Sequence, residues 1–333
     1  MQNVSLLSRR HLFVVLGLLV SASALFWLNK QFDFAELIHA LKQVDLFILT
    51  PIPFLILMSF AMRAQRWRLL VNHQPKVRFW PSFSALMIGY LLNNILPARA
   101  GDVARALELG RSEKMSRTKV FATLVSERTI DLVTTFTLLS VVLLSFPALP
   151  EWVKNAGAFL SLLSIAAVSL LVLAHTTGRR WIPALVARLS RRLPDAVRTK
   201  LNQMVISALQ GIGGMFRPSH ALGFLLLTGF IWTVEIVMVH IVATSVGLPL
   251  ALENALLVLL VLAIGSMVPS SPGQFGTYEL VGLAALALVA IQGPLALAFI
   301  VLLHLLTLMG STLIGIACLL VRVRSSILLK DTP

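Results

Sequence analysis

Residues Gly265 to Leu280 read GSMVPSSPGQFGTYEL, and the reading of this stretch decides the fold. It holds two prolines, three glycines and the carboxylate of Glu279, with apolar runs on either side at Ala255 to Val268 and Leu280 to Ile291. Proline lacks a backbone donor and clashes with the preceding turn, while glycine lets the chain turn back. Helical hydrogen bonding is therefore expected to stop near Pro269 and to resume near Tyr278. Hydrocarbon cannot satisfy the freed groups, so a break at membrane depth must be buried in protein or line a watery cavity, which makes it a pointer to a binding site. The alternative is a plain surface loop between two helices.

Composition puts the break in a membrane. Of 333 residues, 57% are hydrophobic and 13% charged, against about 45–50% and about 25% in a soluble domain. The net charge of +14 would suggest nucleic acid in a soluble protein, but here its placement marks cytoplasmic loops, and no nucleic-acid partner is expected. Cys318 stands alone in the chain, so no intramolecular disulfide can form. Arg9 and Arg10 before an apolar run, with Ser21 to Ala24 beyond, would also suit a signal peptide or twin-arginine signal. An uncleaved first helix fits the later spans better.

The expected fold is an all-α polytopic membrane protein with about 6–8 transmembrane helices and two broken re-entrant hairpins in an inverted repeat. The whole chain, 1–333, is read as a single transmembrane domain. Phe34 to Leu41 has helical apolar spacing suited to the interface plane. Apolar segments follow at Leu46 to Met62, Phe79 to Leu96, Val120 to Phe146, Ala156 to Ala174, Ala221 to Val246 and Leu295 to Val321. Basic residues gather in Arg63 to Arg78, Arg99 to Lys119 and Thr177 to Arg217. Placing these tracts and both termini in the cytoplasm obeys the positive-inside rule, provided that Phe79 to Leu96 enters and returns to the same side. The same rule makes the run through Pro269 to Gly276 a second hairpin, entering from outside. The halves 46–146 and 221–321 then match in order and oppose in direction, with a site between their breaks. The segment 177–217 is read as amphipathic helices on an anionic lipid surface.

Charge in hydrocarbon costs on the order of 2.5–3.5 kcal/mol per residue, so each buried charge needs a partner or a task. Glu127 and Asp131 lie one helical turn apart, beside Arg128, which could pair with Glu279 or Asp102. Structural ion pairing is one account. The other is that Arg99 and Arg128 present guanidinium forks to a lipid phosphate, helped by Asn93 and Asn94 and by the helix starts after Pro97 and Gly276. Glu235, His240 and His304 allow a metal site, although histidines in membrane helices are more often hydrogen-bonded to neighbours. Glu235 or His240 could also carry protons.

Three motifs are specific enough to name a family. Leu96-Pro97-Ala98-Arg99-Ala100-Gly101-Asp102, Ser126-Glu127-Arg128-Thr129-Ile130-Asp131 and Val268-Pro269-Ser270-Ser271-Pro272-Gly273-Gln274-Phe275-Gly276-Thr277-Tyr278-Glu279 resemble, in order and spacing, the flippase-like lysylphosphatidylglycerol synthase transmembrane-region family. The resemblance covers roughly Phe34 to Val321 and implies the bacterial inner (cytoplasmic) membrane. Members of that family join such a membrane unit to a cytosolic aminoacyl-transfer domain; others look like helpers in lipid-linked sugar or hopanoid pathways. This chain has no room for the transferase domain, so the expectation is a translocator of a phosphate-bearing lipid that is not an enzyme and needs no cofactor. Its substrate-binding residues would be Asn93, Asn94, Arg99, Asp102, Glu127, Arg128, Asp131, Ser271, Gly273, Gln274, Gly276 and Glu279. The competing readings are a lipid-phosphate transferase or hydrolase, with Glu127, Asp131 and Glu279 around a divalent cation, and an accessory subunit of a lipid-modifying pathway.

Overall fold

The computed structural model describes residues 3–71, 77–96, 100–145, 151–192, 194–213, 218–268 and 270–328. Among them there is no strand. In order run α1 (Asn3–Gln31), α2 (Phe34–Lys42), α3 (Ile52–Val71), α4 (Phe79–Ile95), α5 (Ala100–Ser112), α6 (Arg117–Ser145), α7 (Glu151–Thr176), α8 (Gly178–Leu189), α9 (Asp195–Gly213), α10 (Pro218–Ser245), α11 (Leu252–Gly265), α12 (Thr277–Ala287) and α13 (Pro294–Leu328). The chain divides into two compact units. Unit one comprises Met1–Phe60, Met87–Asp102 and Trp232–Pro333; unit two comprises Ala61–Leu86 and Val103–Ile231.

Three helical segments among the described residues are long and apolar enough to cross a membrane: Glu151–Leu170, Leu222–Ser245 and Pro294–Arg324. The flanking limbs of the break are shorter. α11 has 14 residues and α12 has 11, or about 21 Å and about 17 Å of helix against about 30 Å of hydrocarbon.

Unit one has a core built from Ile52, Ile56, Val239, Val242, Val258, Leu262, Leu286, Phe299, Ile300 and Leu303, with other residues of the same helices. α12 folds back along α11, and the approach is close at Gly265, where a Cβ would lie 2.4 Å from Val281. α5 meets α4 in the same way: a Cβ on Gly101 would stand 2.0 Å from the Gly89 carbonyl oxygen. α13 reaches α4 through Gly315, which lies against Met87 and Leu91. Small residues thus let backbones approach where apolar burial offers little drive in lipid. α2 begins at Asp33, whose side chain accepts from the Ala35 N–H at 2.8 Å, and packs against α13.

Unit two has a smaller core of Trp67, Val71, Val77, Ala85, Ala106, Leu109, Val120 and Leu124. α6 and α7 pack as a pair; Gly157 lies against Leu143, and the Ser140 hydroxyl donates to the Gly157 carbonyl at 3.0 Å. α9, from the basic segment 177–217, packs along α6.

Several expected boundaries move. The segment expected at Leu46 to Met62 starts as a helix only at Ile52, after Pro51, and runs on to Val71. Arg66 and Arg68 are therefore helical, and Arg66 is buried, so Arg63 to Arg78 is not simply a solvated loop. Phe79 to Leu96 does not turn back on itself. α4 is one continuous helix of 17 residues with Pro81 in its first turn, where a missing N–H costs nothing, and every residue from Ser82 to Gly89 is buried. The segment that folds against it is α5.

Candidate functional site

Unit two holds a buried array of two arginines and two carboxylates. Arg66 projects from α3, Arg105 from α5, and Glu127 and Asp131 from successive turns of α6. Arg105 Nη2 donates to Glu127 Oε2 at 2.9 Å. Arg66 Nη2 lies 3.7 Å from Glu127 Oε1 and 2.7 Å from Asp131 Oδ1, so Glu127 is shared by both cations. The arginines are positioned by aromatic and hydroxyl groups. The Arg105 guanidinium sits 3.8 Å from the centre of the Trp67 ring, and Trp67 Nε1 donates to Thr123 Oγ1 at 3.1 Å. Arg66 Nη1 donates to Thr228 Oγ1 at 3.4 Å, with Phe224 on its face at 5.3 Å.

The array is sealed at one end and open at the other. The Arg66 side chain is 1% exposed and that of Asp131 24%. Among the described residues, Arg66 Nε has no hydrogen-bond acceptor, and Nη2, although close to both carboxylates, makes no well-aligned hydrogen bond. A guanidinium is built for bidentate contact with planar or tetrahedral oxyanions. Arg66 is thus held by charge with part of its donor fork unused.

Unit one holds a second polar centre, at the break. Among the described residues, helical structure ends at Gly265 and resumes at Thr277, with one 3-10 turn at Pro272–Gln274 between. Gly273, Gln274 and Gly276 all have positive φ, of 69°, 59° and 80°. For Gln274 this is a strained conformation, held by its side chain donating to the Ser266 carbonyl and its own carbonyl accepting from the Thr277 hydroxyl. Glu279 caps α12 by accepting from the Gly276 N–H at 2.7 Å. Its other oxygen lies 2.6 Å from His304 Nδ1, and His304 Nε2–H donates to the Gly273 carbonyl at 2.8 Å. Tyr278 stacks on the imidazole, with ring centres 4.3 Å apart. From α1, Ser21 Oγ accepts from the Ser271 N–H at 3.0 Å and donates to Ser271 Oγ at 2.8 Å; Gly17 and Gly276 allow α1 to lie against this backbone.

Glu127 and Asp131 share a face, as their spacing requires, and their partners on the other helices are Arg66 and Arg105. Arg128 is half-buried. Arg99, Pro97 and Pro269 lie outside the described residues. Asn93 Nδ2 donates to Asp102 at 3.3 Å, while its Oδ1 has no donor among the described residues. Asn94 donates to the hydroxyls of Ser311 and Thr312 at 2.9 and 3.0 Å, so its amide already serves α13. The trio Glu235, His240 and His304 is not assembled as a metal site. Glu235 accepts from Ser59, His240 Nδ1 contacts the Leu250 carbonyl, and His304 is engaged by Glu279 and Gly273. No group of three or more metal-ligating side chains exists among the described residues.

These features define a multi-pass helical membrane protein with buried charge. The chain belongs to the family described as "Lysylphosphatidylglycerol synthase TM region", which matches residues 14–315. It is 26% identical over 324 residues to "Glycosyltransferase AglD" of Haloferax volcanii, covering 87% of this chain but only 51% of that protein. It is also 23% identical to "UPF0104 membrane protein PH1989" of Pyrococcus horikoshii, covering 92% of this chain and 95% of the relative. A "UPF0104 membrane protein" of Methanothermobacter thermautotrophicus is 23% identical over 80% and 82% of the two chains. No solved structure matches. The glycosyltransferase corrects the expectation of a non-enzymatic role: this membrane region recurs in a protein named for a transfer reaction and in a family named for a synthase.

Proposed function

We propose that the chain handles a phosphate-bearing polar lipid and moves its head group across the cytoplasmic membrane, with both termini in the cytoplasm. The observation that carries this reading is Arg66: buried, charge-paired, and with donors left unused beside a partly exposed carboxylate. A lipid phosphate arriving at the Asp131 end takes that carboxylate's place on the guanidinium fork, while Glu127 holds the array together. The head group's hydration is thereby exchanged for fixed partners, avoiding a desolvation cost of several kcal/mol. Arg99 and Arg128 remain proposed phosphate contacts. In unit one, Asn93, Asn94, Asp102, Ser271, Gly273, Gln274, Gly276 and Glu279 form a separate proposed set for the uncharged part of the head group. α4 with α5, and α11 with α12, are proposed as the two re-entrant hairpins of an inverted repeat. The matching element order and the short limbs of the second hairpin support that arrangement.

A second reading rests on the glycosyltransferase relative. Here the same site presents a lipid-linked phosphate to a glycosyl-transfer reaction rather than carrying it across.

The test is reconstitution of the full chain in phosphatidylcholine vesicles containing a trace of fluorescent phosphatidylglycerol, with a membrane-impermeant quencher added outside. Quenching of the inner-leaflet pool should speed up with the protein, and Arg66→Gln should slow it at least about tenfold, the scale of one hydrogen bond to a charged group. Quenching at the empty-vesicle rate for phosphatidylglycerol and for a polyprenyl phosphate would overturn translocation. Sugar transfer to a lipid phosphate by the same preparation would then favour the second reading.

A further inference from the structure

The hydrogen bonds at the break count protons. A carbonyl oxygen can only accept, so the 2.8 Å contact with Gly273 fixes a hydrogen on His304 Nε2. His304 Nδ1 and Glu279 Oε1, 2.6 Å apart, therefore need one further proton between them. They are an imidazolium and a carboxylate, or an imidazole and a carboxylic acid. If that proton leaves, the neutral imidazole has a single N–H for two acceptors. Either the Gly273 carbonyl loses its donor or a carboxylate faces a nitrogen lone pair at hydrogen-bond distance. Both Glu279 and His304 are buried, so water does not cheaply repair the loss.

We propose that Glu279 and His304 form a proton-binding site that latches the break, with the proton as a coupling ion for the conformational change of residues 270–276. With the proton bound, His304 ties Gly273 of the 3-10 turn to Glu279 of the α12 cap, holding in place the positive-φ residues Gly273, Gln274 and Gly276. On loss of the proton to water, one tie breaks and the strained turn at Gln274 is free to relax. Tyr278 stacks on the imidazole, and the Thr307 hydroxyl of α13 donates to the His304 carbonyl. Glu235 of α10 faces Tyr278 and is held by Ser59. On α11 the charged residue is Glu253, in its first turn. Along residues 17–31 of α1 the charged side chain is Lys30, which lies over Phe26. The site lies within unit one and stands whether or not Arg66 binds a lipid.

The measurement is hydrogen–deuterium exchange of the full-length protein in detergent, corrected for the intrinsic pH dependence of amide exchange. As pH is raised across the range in which the protein stays folded, protection of residues 270–276 should fall about tenfold, the equivalent of one lost hydrogen bond, while α10 and α13 stay protected. Glu279→Gln supplies a permanent N–H to His304 Nδ1 and keeps an oxygen for the Gly276 N–H. It should stay protected at every pH, whereas His304→Ala should be unprotected at every pH. Should His304→Ala fail to fold, the isosteric Glu279→Gln decides alone. Equal protection of the wild-type break across the range, or an undiminished pH response in Glu279→Gln, would overturn the proposal. Loss of lipid transfer with this response intact would count against the Arg66 site only.

Discussion

Arg66 and Asp131 meet at 2.7 Å across α3 and α6, although the arginine is sealed and the carboxylate keeps about a quarter of its surface. The pair therefore has an inner member fixed by Glu127, Thr228 and Phe224 and an outer member that can be exchanged. This asymmetry separates the structural part of the array from the part that can meet a ligand.

Glu127→Ala should be among the most damaging single changes in unit two. It removes the carboxylate shared by two buried guanidinium groups, and breaking a buried pair costs about 3–5 kcal/mol. Asp131→Asn leaves Glu127 in place and should cost about 1 kcal/mol or less, being partly solvated. Unfolding in detergent followed by tryptophan fluorescence checks both; equal losses would mean that Glu127 is not the shared partner.

Trp67 separates stacking from hydrogen bonding. Trp67→Phe keeps a ring face under Arg105 but drops the bond to Thr123, an expected loss of about 1–2 kcal/mol. Trp67→Ala also opens a cavity in the core, and its cost should rise to about 3–5 kcal/mol. The readout is the thermal midpoint of the two purified variants side by side.

Two glycines should respond oppositely to a second mutation. Gly265→Ala drives a methyl into the Val281 side chain and should cost about 1–3 kcal/mol, most of it recovered in the double variant with Val281→Ala. Gly101→Ala meets the Gly89 carbonyl, which is backbone, so Asn93→Ala should not rescue it. A double-mutant cycle on thermal stability distinguishes the two cases.

The break at Gly265 to Thr277 was legible because proline and glycine act locally, through the backbone. So was the shared face of Glu127 and Asp131, which follows from helical spacing alone. The partners Arg66 and Arg105 were not legible. Arg66 falls in a basic tract, and only the continuing Leu69-Leu70-Val71 beyond Trp67 points to a helix that goes on. Arg105 sits in an amphipathic helix where charge is ordinary, and what buries it is packing against Trp67 from another helix. His304 was visible as an ionisable residue in a span, but its role depends on a Gly273 carbonyl that faces it only once the 3-10 turn has formed. Such long-range pairings have no signature in a single chain's local pattern.

The shortness of α11 and α12 bears on how the protein is made. Neither limb is long enough to be laterally released by the insertion machinery as a span of its own, and both contribute side chains to the core shared with α10 and α13. Biogenesis of this hairpin must therefore wait for α13, which is synthesised after it, so nascent chains halted before Pro294 should leave it unsheltered and exposed to quality-control proteases.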